Sequence, residues 1–310
     1  MTTTAADAGA DAERRELSRG LLGALIAVCA WSTGTILIAG IDMGGLAAGF
    51  YRFAIFSVGI VVWMQVTGTP FRLRLLRDSM WGGLALGADI ALFFSAIKLT
   101  SVVNATIIGA LQPVVVGVVA AKFFGERVRG RDVVWSLVAI AGVFVVVSAA
   151  AGDNPNDWRG DLLAFGAMLT WSGYFIASKH SKHTMTSTEF TAGTAIWVAI
   201  ICFPLAFLFG QDMSWPSWTN LALLGAMVLS AGVIGHSLMN WSLVRIPLWI
   251  GSTFTLLIPV FSALLAWMFL DEPVTWIQVV AMAVVIGALT AIVRGQQTAP
   301  DATVSPAEAQ

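Results

Sequence analysis

Ionisable side chains within long apolar stretches are the residues of this chain best placed to do chemistry. Asp89 lies near the centre of one such stretch, GLALGADIALFF, and Phe93 follows it by four residues. A charge inside an apolar helix is costly, so it usually faces a water-filled cavity or a partner group. Asp89 could therefore bind a substrate ammonium or carry a proton. An equally simple interpretation is a structural ion pair with Arg52 or Lys98.

Two further apolar stretches contain groups that form hydrogen bonds. His236 and Asn240 are four residues apart, so they share one face of a helix and could line a cavity. A lone histidine in such a position is more often structural than a proton carrier. Asn104, Ile108 and Gln112 share a face in the same way. Asn104, His236 and Asn240 are therefore candidates for binding a substrate carboxylate, alongside the structural interpretation.

Aromatic side chains could bind the apolar part of a substrate. Trp31 and Trp171 lie away from the ends of their apolar stretches, and Tyr174 and Phe175 share a helix face with Trp171. Such a surface can stack on a ring or hold a cation, although packing explains most of the thirteen tryptophans. Further cavity candidates are Trp241 and Trp249, whereas the tryptophans predicted to anchor at membrane interfaces are Trp63, Trp81, Trp158, Trp215, Trp218 and Trp276.

The composition excludes several classes of protein. Hydrophobic residues make up 57% of the chain and charged residues 11%, whereas soluble domains carry about 25% charged residues. The chain is therefore predicted to be an integral membrane protein. A net charge of −1 gives no basis for nucleic-acid binding. No HExxH, GxSxG or Walker motif is present, and the two cysteines lie in apolar runs, so no enzyme, metal site or cofactor is indicated.

Ten stretches approach or reach the length of about 20 apolar residues that a helix needs to cross a bilayer. They are residues 20–39, 46–66, 80–99, 101–124, 132–150, 160–180, 188–209, 217–241, 247–270 and 274–294. Fourteen of the seventeen Lys and Arg residues fall on the side that holds the N-terminus. Because cationic loops favour the cytoplasm, both termini are predicted to be cytoplasmic.

The two halves of the chain repeat each other. The recurring features are Pro113 and Pro259 at an offset of 146, Glu126 and Glu272 at the same offset, and the pairs Trp31-Ser32 and Trp171-Ser172 at an offset of 140. Five spans in each half would invert the second half relative to the first, a plan typical of secondary transporters. A lone mid-span proline often marks a packing kink. Its recurrence at equivalent positions favours a hinge or a broken helix beside a site.

The predicted fold is an all-α membrane protein with ten transmembrane helices, arranged as two inverted five-helix repeats around a central cavity. Its divisions are a polar cytoplasmic N-terminus at 1–19, a first repeat at 20–150, a linker at 151–159, a second, inverted repeat at 160–294 and a disordered cytoplasmic tail at 295–310. The spacing of Gly45 with Gly49, and of Gly83 with Gly87, predicts close contacts between helices.

The chain resembles the drug/metabolite transporter superfamily, EamA type. The resemblance rests on the ten spans in two halves, the Trp-Ser pair in the first helix of each half, and the fourth-helix proline followed by Gly-Glu-Arg or Asp-Glu-Pro. Glu126 and Glu272 match the glutamate that ends the fourth helix in that pattern. More narrowly, the chain is similar to bacterial YddG-type exporters of aromatic amino acids. The resemblance covers about residues 20–294. It implies a basket of ten helices, a cavity lined by helices 1, 3, 4, 6, 8 and 9, and export by alternating access.

The function that the sequence favours is export of aromatic or hydrophobic amino acids and related small organic compounds across a bacterial inner membrane. A multidrug (organic cation) or other metabolite carrier is the alternative, and a membrane-embedded enzyme or scaffold is a third interpretation. Nucleotide-sugar transport is disfavoured, because no basic residue is expected at the midplane. The cavity candidates are Trp31, Asp89, Phe93, Asn104, Ile108, Trp171, Tyr174, Phe175, His236, Asn240 and Phe254, and the hinge candidates are Pro113 and Pro259.

The implied partners are small-molecule substrates and the lipid bilayer, with no nucleic acid, no metal and no cofactor. Asp89 and His236 are the groups that could titrate if export were coupled to protons. The alternative is downhill export without coupling, in which Asp89 and His236 would have binding or structural roles. The oligomeric state stays open, with a monomer as the simplest case.

Overall fold

Helices make up the regular secondary structure that the computed structural model describes, over residues 5–97, 99–100, 102–149 and 157–297. The helices are α1 (Ala5–Ala39), α2 (Gly45–Val66), α3 (Arg74–Asp78), α4 (Met80–Ala96), α5 (Val102–Gly109), α6 (Gln112–Phe123), α7 (Gly130–Ser148), α8 (Trp158–Ser181), α9 (Ser187–Leu208), α10 (Trp218–Met227), a π-helical segment (Val228–His236), α11 (Ser237–Leu243), α12 (Leu248–Phe254), α13 (Leu257–Phe269) and α14 (Trp276–Gln297).

Eight helical stretches of the described chain are long and apolar enough to cross a membrane. They are Ala12–Ala39, Gly45–Val66, Asn104–Phe123, Gly130–Ser148, Ser187–Leu208, Trp218–Leu243, Leu248–Phe269 and Trp276–Gln296. Helix α4 is apolar but shorter, and α8 carries Asp161, Lys179 and His180 in its end turns. The prediction of an integral membrane protein is confirmed, while eight rather than ten stretches meet the length and apolarity that spanning requires.

The segment before residue 20 is helical from Ala5 and continues without a break into the first span. The predicted division at residue 20 falls within this continuous helix, in keeping with the abundance of the good helix formers Ala, Glu and Arg in the segment, and it stays a prediction. Several predictions lie outside the described residues: the start of the N-terminus at 1–4, the partner role of Lys98, the linker over 151–156 and the tail from 298 onward.

Both fourth segments are interrupted just before their proline. Helix α5 ends at Gly109 and α6 begins at Gln112, which places Pro113 in the first turn of α6. Helix α12 ends at Phe254 and α13 begins at Leu257, two residues before Pro259. A proline lacks the N–H that an uninterrupted helix would use and clashes with the preceding turn. The predicted broken helices are confirmed, and a hinge motion at the two breaks stays a prediction.

The predicted close contacts at glycines are confirmed. Gly83 in α4 lies against Trp197 of α9, and Gly49 in α2 lies near Ile90 of α4. Glycine lets two helix backbones approach to a distance that a side chain would prevent. The six tryptophans predicted as interface anchors are all strongly exposed, whereas Trp31 and Trp249 are buried. The division between peripheral and interior tryptophans therefore agrees with the sequence prediction.

Gly83→Ala is expected to destabilise the protein, because an added Cβ would lie 2.6 Å from Cγ of Trp197. The indole cannot move away freely, since its Nε1 donates a 2.7 Å hydrogen bond to the carbonyl of Leu76. Overpacking of this kind costs about 1–3 kcal/mol. The matched control is Gly59→Ala in α2, where an added Cβ meets nothing within 4 Å. Thermal unfolding of purified protein should show a lower midpoint for the first variant only.

Candidate functional site

Six rings from four helical elements meet in one place, which we call the aromatic cluster. Its members are Trp31 (α1), Phe53 (α2), Trp171, Tyr174 and Phe175 (α8), and His236 at the end of the π-helical segment. The ring centroids of Trp31 and Trp171 are 5.2 Å apart in an edge-to-face arrangement, and Trp31 and His236 are 5.3 Å apart. Trp171 stacks on Tyr174 at 5.4 Å. Five predicted cavity residues are therefore neighbours, and Phe53 is a member that the sequence analysis missed.

The helical spacing explains how α8 contributes three of these rings. Residues 171, 174 and 175 lie within one turn and share a face, and that face packs against α1 and the π-helical segment. Gly235 allows this packing, because an added Cβ there would lie 2.5 Å from Nε1 of Trp31. That Nε1 is buried and has no hydrogen-bond partner among the residues that the structure describes. The cluster therefore contains a donor that no described protein group uses.

A buried polar network lies next to the aromatic cluster and is centred on Asn240. The Oδ1 atom of Asn240 accepts from Ser178 Oγ at 2.8 Å, and its Nδ2 donates to Thr191 Oγ1 at 2.9 Å and to the Tyr174 hydroxyl at 2.9 Å. The Tyr174 hydroxyl also lies 3.2 Å from Nδ1 of His236. Asn240 is therefore satisfied by protein groups, which favours its structural interpretation.

Three other cavity candidates lie in a different group. Asn104 Nδ2 lies 3.3 Å from Asp161 Oδ1, which also accepts a 2.6 Å hydrogen bond from the Thr100 hydroxyl. Phe93 and Ile108 pack against a small apolar cluster of alanines from α4, α5 and α8, separate from the main core. The sequence predicts that all candidates line one cavity. The described contacts instead divide them between this group and the aromatic cluster.

The last cavity candidate, Phe254, is buried in the main core at the end of α12. It shares that core with Trp31 and Phe175. No ring contact joins Phe254 to the aromatic cluster within the described residues. Phe254 therefore lies beside the break before Pro259 rather than in the cluster.

Asp89 and Arg52 are partly exposed charges in the spanning region. The described part of the chain offers neither of them an ion pair or a hydrogen bond. The predicted pair between Asp89 and Arg52 is therefore contradicted. The guanidinium carbon of Arg52 lies 4.9 Å from the ring centroid of Phe53, and that centroid is 5.8 Å from the ring centroid of His236. Arg52 is therefore a basic residue beside the aromatic cluster, while the expectation of no basic residue at the midplane stays a prediction.

The signal that could have identified Arg52 is visible in the sequence. It is an arginine seven residues inside an apolar stretch, and it lies away from the side that holds fourteen of the seventeen cations.

Asp89 lies in α4, where it follows Ala85 by four residues and so shares its face. A Cβ at Gly173 of α8 would lie 3.6 Å from that of Ala85. Ala85 of α4 therefore packs against α8 at the residue that precedes Tyr174 in sequence, and Asp89 lies about one helical turn further along α4.

The glutamate after the first broken helix binds the start of the second one. Glu126 Oε1 accepts from the backbone N–H of Leu248 at 2.7 Å and Oε2 from that of Trp249 at 3.2 Å, so the carboxylate caps α12. Lys179 Nζ lies 3.8 Å from Glu126 Oε1 and donates to the carbonyl of Ile246 at 2.8 Å. Burial raises the pKa of Glu126, against the lowering effect of the backbone N–H groups and of Lys179.

The repeat mate of Glu126 is in a different environment. Glu272 is exposed, and its carboxylate has no hydrogen bond or ion pair with any residue that the structure describes. At the two breaks themselves, Thr255 Oγ1 donates to Oε1 of the fully buried Gln112 at 2.9 Å. The two broken helices therefore contact each other at their breaks, while only one of the two glutamates caps a helix.

Comparison with known proteins gives a consistent result. The sequence model of the EamA-like transporter family matches residues 18–148 and 158–294. The threonine/homoserine exporter RhtA of Salmonella typhimurium is 27% identical over 223 residues, which is 71% of this chain and 73% of that protein. The aromatic amino acid exporter YddG of Ancylobacter novellus is 29% identical over 154 residues, covering 49% of this chain and 52% of YddG. The match thus spans about half of that exporter.

Longer matches cover nearly the whole chain. The uncharacterized transporter YwfM of Bacillus subtilis is 26% identical over 300 residues, which is 91% of this chain and 97% of YwfM. One solved crystal structure superposes with a TM-score of 0.77 over 91% of this chain and 99% of that chain, at 21% identity. At this identity the superposition shows a shared fold.

Proposed function

The chain belongs to the EamA-like transporter family, and we propose that it exports amino acids, with preference for aromatic or other apolar side chains. Family membership indicates a transporter rather than an enzyme. The observation that carries the proposal is the aromatic cluster together with the carboxylate of Asp89, which has no ion pair or hydrogen bond within the described residues and lies on α4, a helix that packs against α8. Rings offer stacking surfaces to an apolar side chain, and the carboxylate offers a counter-ion to an ammonium group. The names of RhtA and YddG support the amino acid class.

The proposed architecture has ten spans in two inverted five-helix repeats, at 20–150 and 160–294. The eight long apolar helices together with α4 and α8 supply the ten. The family matches the chain as two segments, and the broken helices fall at equivalent places in both. The repeat mates Trp31 and Trp171 touch each other, as expected of equivalent residues near an axis that relates the halves. The Lys and Arg distribution favours cytoplasmic termini in an inner membrane.

We further propose that transport proceeds by alternating access, with this structure closed on the cytoplasmic side. The support is the asymmetry between the two glutamates. The Glu126 carboxylate joins the halves at α12, whereas its mate Glu272 is exposed. In an inverted repeat, a contact formed at one face has a counterpart at the other face. The opposite state would then release Glu126 from α12 and bring Glu272 to the start of α5.

Glu126→Gln is expected to lower the free energy of unfolding by about 1–2 kcal/mol, because a neutral amide caps a helix less well than a carboxylate. The matched control is Glu272→Gln, which changes the repeat mate and should shift stability by no more than about 0.5 kcal/mol, as for other surface substitutions. Thermal unfolding in one detergent measures both. Equal effects of the two substitutions would contradict the assignment of this structure to a state closed at Glu126.

The decisive experiment for the function is transport by purified protein in proteoliposomes. Labelled phenylalanine and threonine are offered with and without an imposed pH gradient. Equilibrative uptake would mean uncoupled export, and gradient-driven accumulation would mean proton coupling. Failure to move either amino acid, with the protein shown to be folded, would reject the amino acid assignment and leave family membership alone.

An organic cation is the second candidate substrate. The aromatic cluster could hold a flat cation by cation–π contacts, and Asp89 could balance its charge. The same proteoliposomes test this candidate with a labelled quaternary ammonium dye. Uptake of the dye without uptake of amino acids would favour the multidrug interpretation over amino acid export.

A further inference from the structure

We propose that Arg52 is the receptor for the substrate carboxylate, so that the site selects zwitterionic amino acids over cations of similar shape. The proposal rests on the proposed amino acid transport and adds to it a residue and a substrate chemistry. On sequence grounds Asn104, His236 and Asn240 are the candidates for binding the carboxylate. In the structure, Asn104 is hydrogen-bonded to Asp161, and Asn240 is hydrogen-bonded to Ser178 and Thr191.

Placing the charge of Arg52 inside a spanning helix costs free energy unless a ligand or water stabilises that charge. It lies seven residues, or about 10 Å along the axis, inside α2. An arginine within a spanning helix normally pairs with an anion or faces a water-filled cavity. Within the described residues Arg52 has no carboxylate partner, and it is partly exposed. A guanidinium offers five donors in a planar fork that matches a carboxylate.

Contacts between α2 and α4 define the position of Arg52 relative to Asp89 along the helix axes. Gly45 lies against the ring of Phe94, and Gly49 lies near Ile90, so residue numbers rise along one helix as they fall along the other. In that register Arg52 and Asp89 are offset by about two residues, which is about 3 Å along the axis. Two charges of opposite sign, neither of them paired within the described residues, therefore lie at nearly the same depth, as the two ends of an amino acid require.

The surroundings of Arg52 connect it to the aromatic cluster. Its guanidinium lies over Phe53, whose ring centroid is 5.8 Å from that of His236, and His236 contacts Trp31. The buried Nε1 of Trp31, which has no acceptor among the described residues, is a second donor on this side. A carboxylate at Arg52 would thus leave the substrate side chain beside the rings.

The test compares ligands that differ only in the carboxylate. Phenylalanine and phenylalaninamide are titrated against the wild type, Arg52→Gln and Arg52→Lys, using inhibition of labelled phenylalanine uptake in proteoliposomes. Arg52→Gln should raise the phenylalanine concentration needed for half-inhibition at least about tenfold, as expected for loss of a charge-assisted pair. The corresponding concentration of phenylalaninamide should change less than about threefold. Arg52→Lys should retain part of the preference for phenylalanine, since it keeps the charge without the fork.

The matched control is Arg159→Gln. Arg159 also lies over an aromatic ring, with its guanidinium carbon 5.9 Å from the ring of Trp158, but at an exposed position at the start of α8. This variant should leave the inhibition of uptake by both ligands unchanged. If Arg52→Gln weakened inhibition by phenylalanine and by phenylalaninamide equally, the proposal would be overturned, because Arg52 would then have a purely structural role.

Titration of tryptophan fluorescence with the same two ligands reads their affinity ratio without transport. If the wild type binds phenylalanine more tightly than phenylalaninamide and Arg52→Gln removes that difference, the assignment of Arg52 stands even where no amino acid is moved. In that case only the transport proposal fails. A wild type that binds neither ligand would overturn both proposals.

Discussion

Asp89→Asn is expected to reduce amino acid transport about 10- to 100-fold without lowering stability. The substitution keeps the shape of the side chain and removes only its charge, so it removes the counter-ion for a substrate ammonium. Charge-assisted hydrogen bonds contribute about 1.5–3 kcal/mol each, and 2.7 kcal/mol corresponds to about 100-fold. Because Asp89 has no partner among the described residues, no contact with any of them is lost with the charge.

Two measurements separate this result from a structural role for Asp89. Initial rates of phenylalanine uptake in proteoliposomes report function, and thermal unfolding in detergent reports stability. Asp78→Asn is the control, since that carboxylate forms a surface ion pair with Arg74 at 3.1 Å outside the site, and it should change neither quantity by much. A lower unfolding midpoint for Asp89→Asn with unchanged transport would assign Asp89 to the structure instead.

Asn240→Leu is expected to lower the free energy of unfolding by about 2–4 kcal/mol. Leucine has a similar volume but leaves Tyr174, Ser178 and Thr191 without the bonds that Asn240 makes to each of them. A buried polar group left unpaired costs about 1–3 kcal/mol, and the total is smaller than the sum because such groups find other partners inside a membrane protein. Unfolding monitored by circular dichroism measures the change.

Ser178→Ala provides a graded control, because it removes one donor to Asn240 Oδ1 and leaves the remaining contacts in place. Its expected cost is about 1 kcal/mol or less. If Asn240→Leu unfolded at the wild-type midpoint yet lost transport, the network would be a binding surface rather than a structural one. The predicted role of Asn240 in holding a carboxylate would then be restored.

Several features of the site follow directly from local sequence patterns. Composition predicts the membrane class, because a chain with 11% charged residues cannot cover a water-facing surface. The spacing of Trp171, Tyr174 and Phe175 places their rings on one face. The prolines predict the two breaks, because proline removes a backbone donor wherever it stands. Each of these inferences depends only on residues within a few positions of one another.

The tertiary structure alone decides which of these local features share a site. Asn104 belongs with Asp161 rather than with the aromatic cluster, and Glu126 caps a helix that begins 122 residues later. A helix in lipid is apolar on every side, so its sequence carries little information about which face turns inward. The rotation and register of each helix are set by packing against its neighbours. For that reason Arg52 and Asp89 are visible in the sequence as charges, while the contacts between their helices and their lack of partners among the described residues emerge only from the assembled helices.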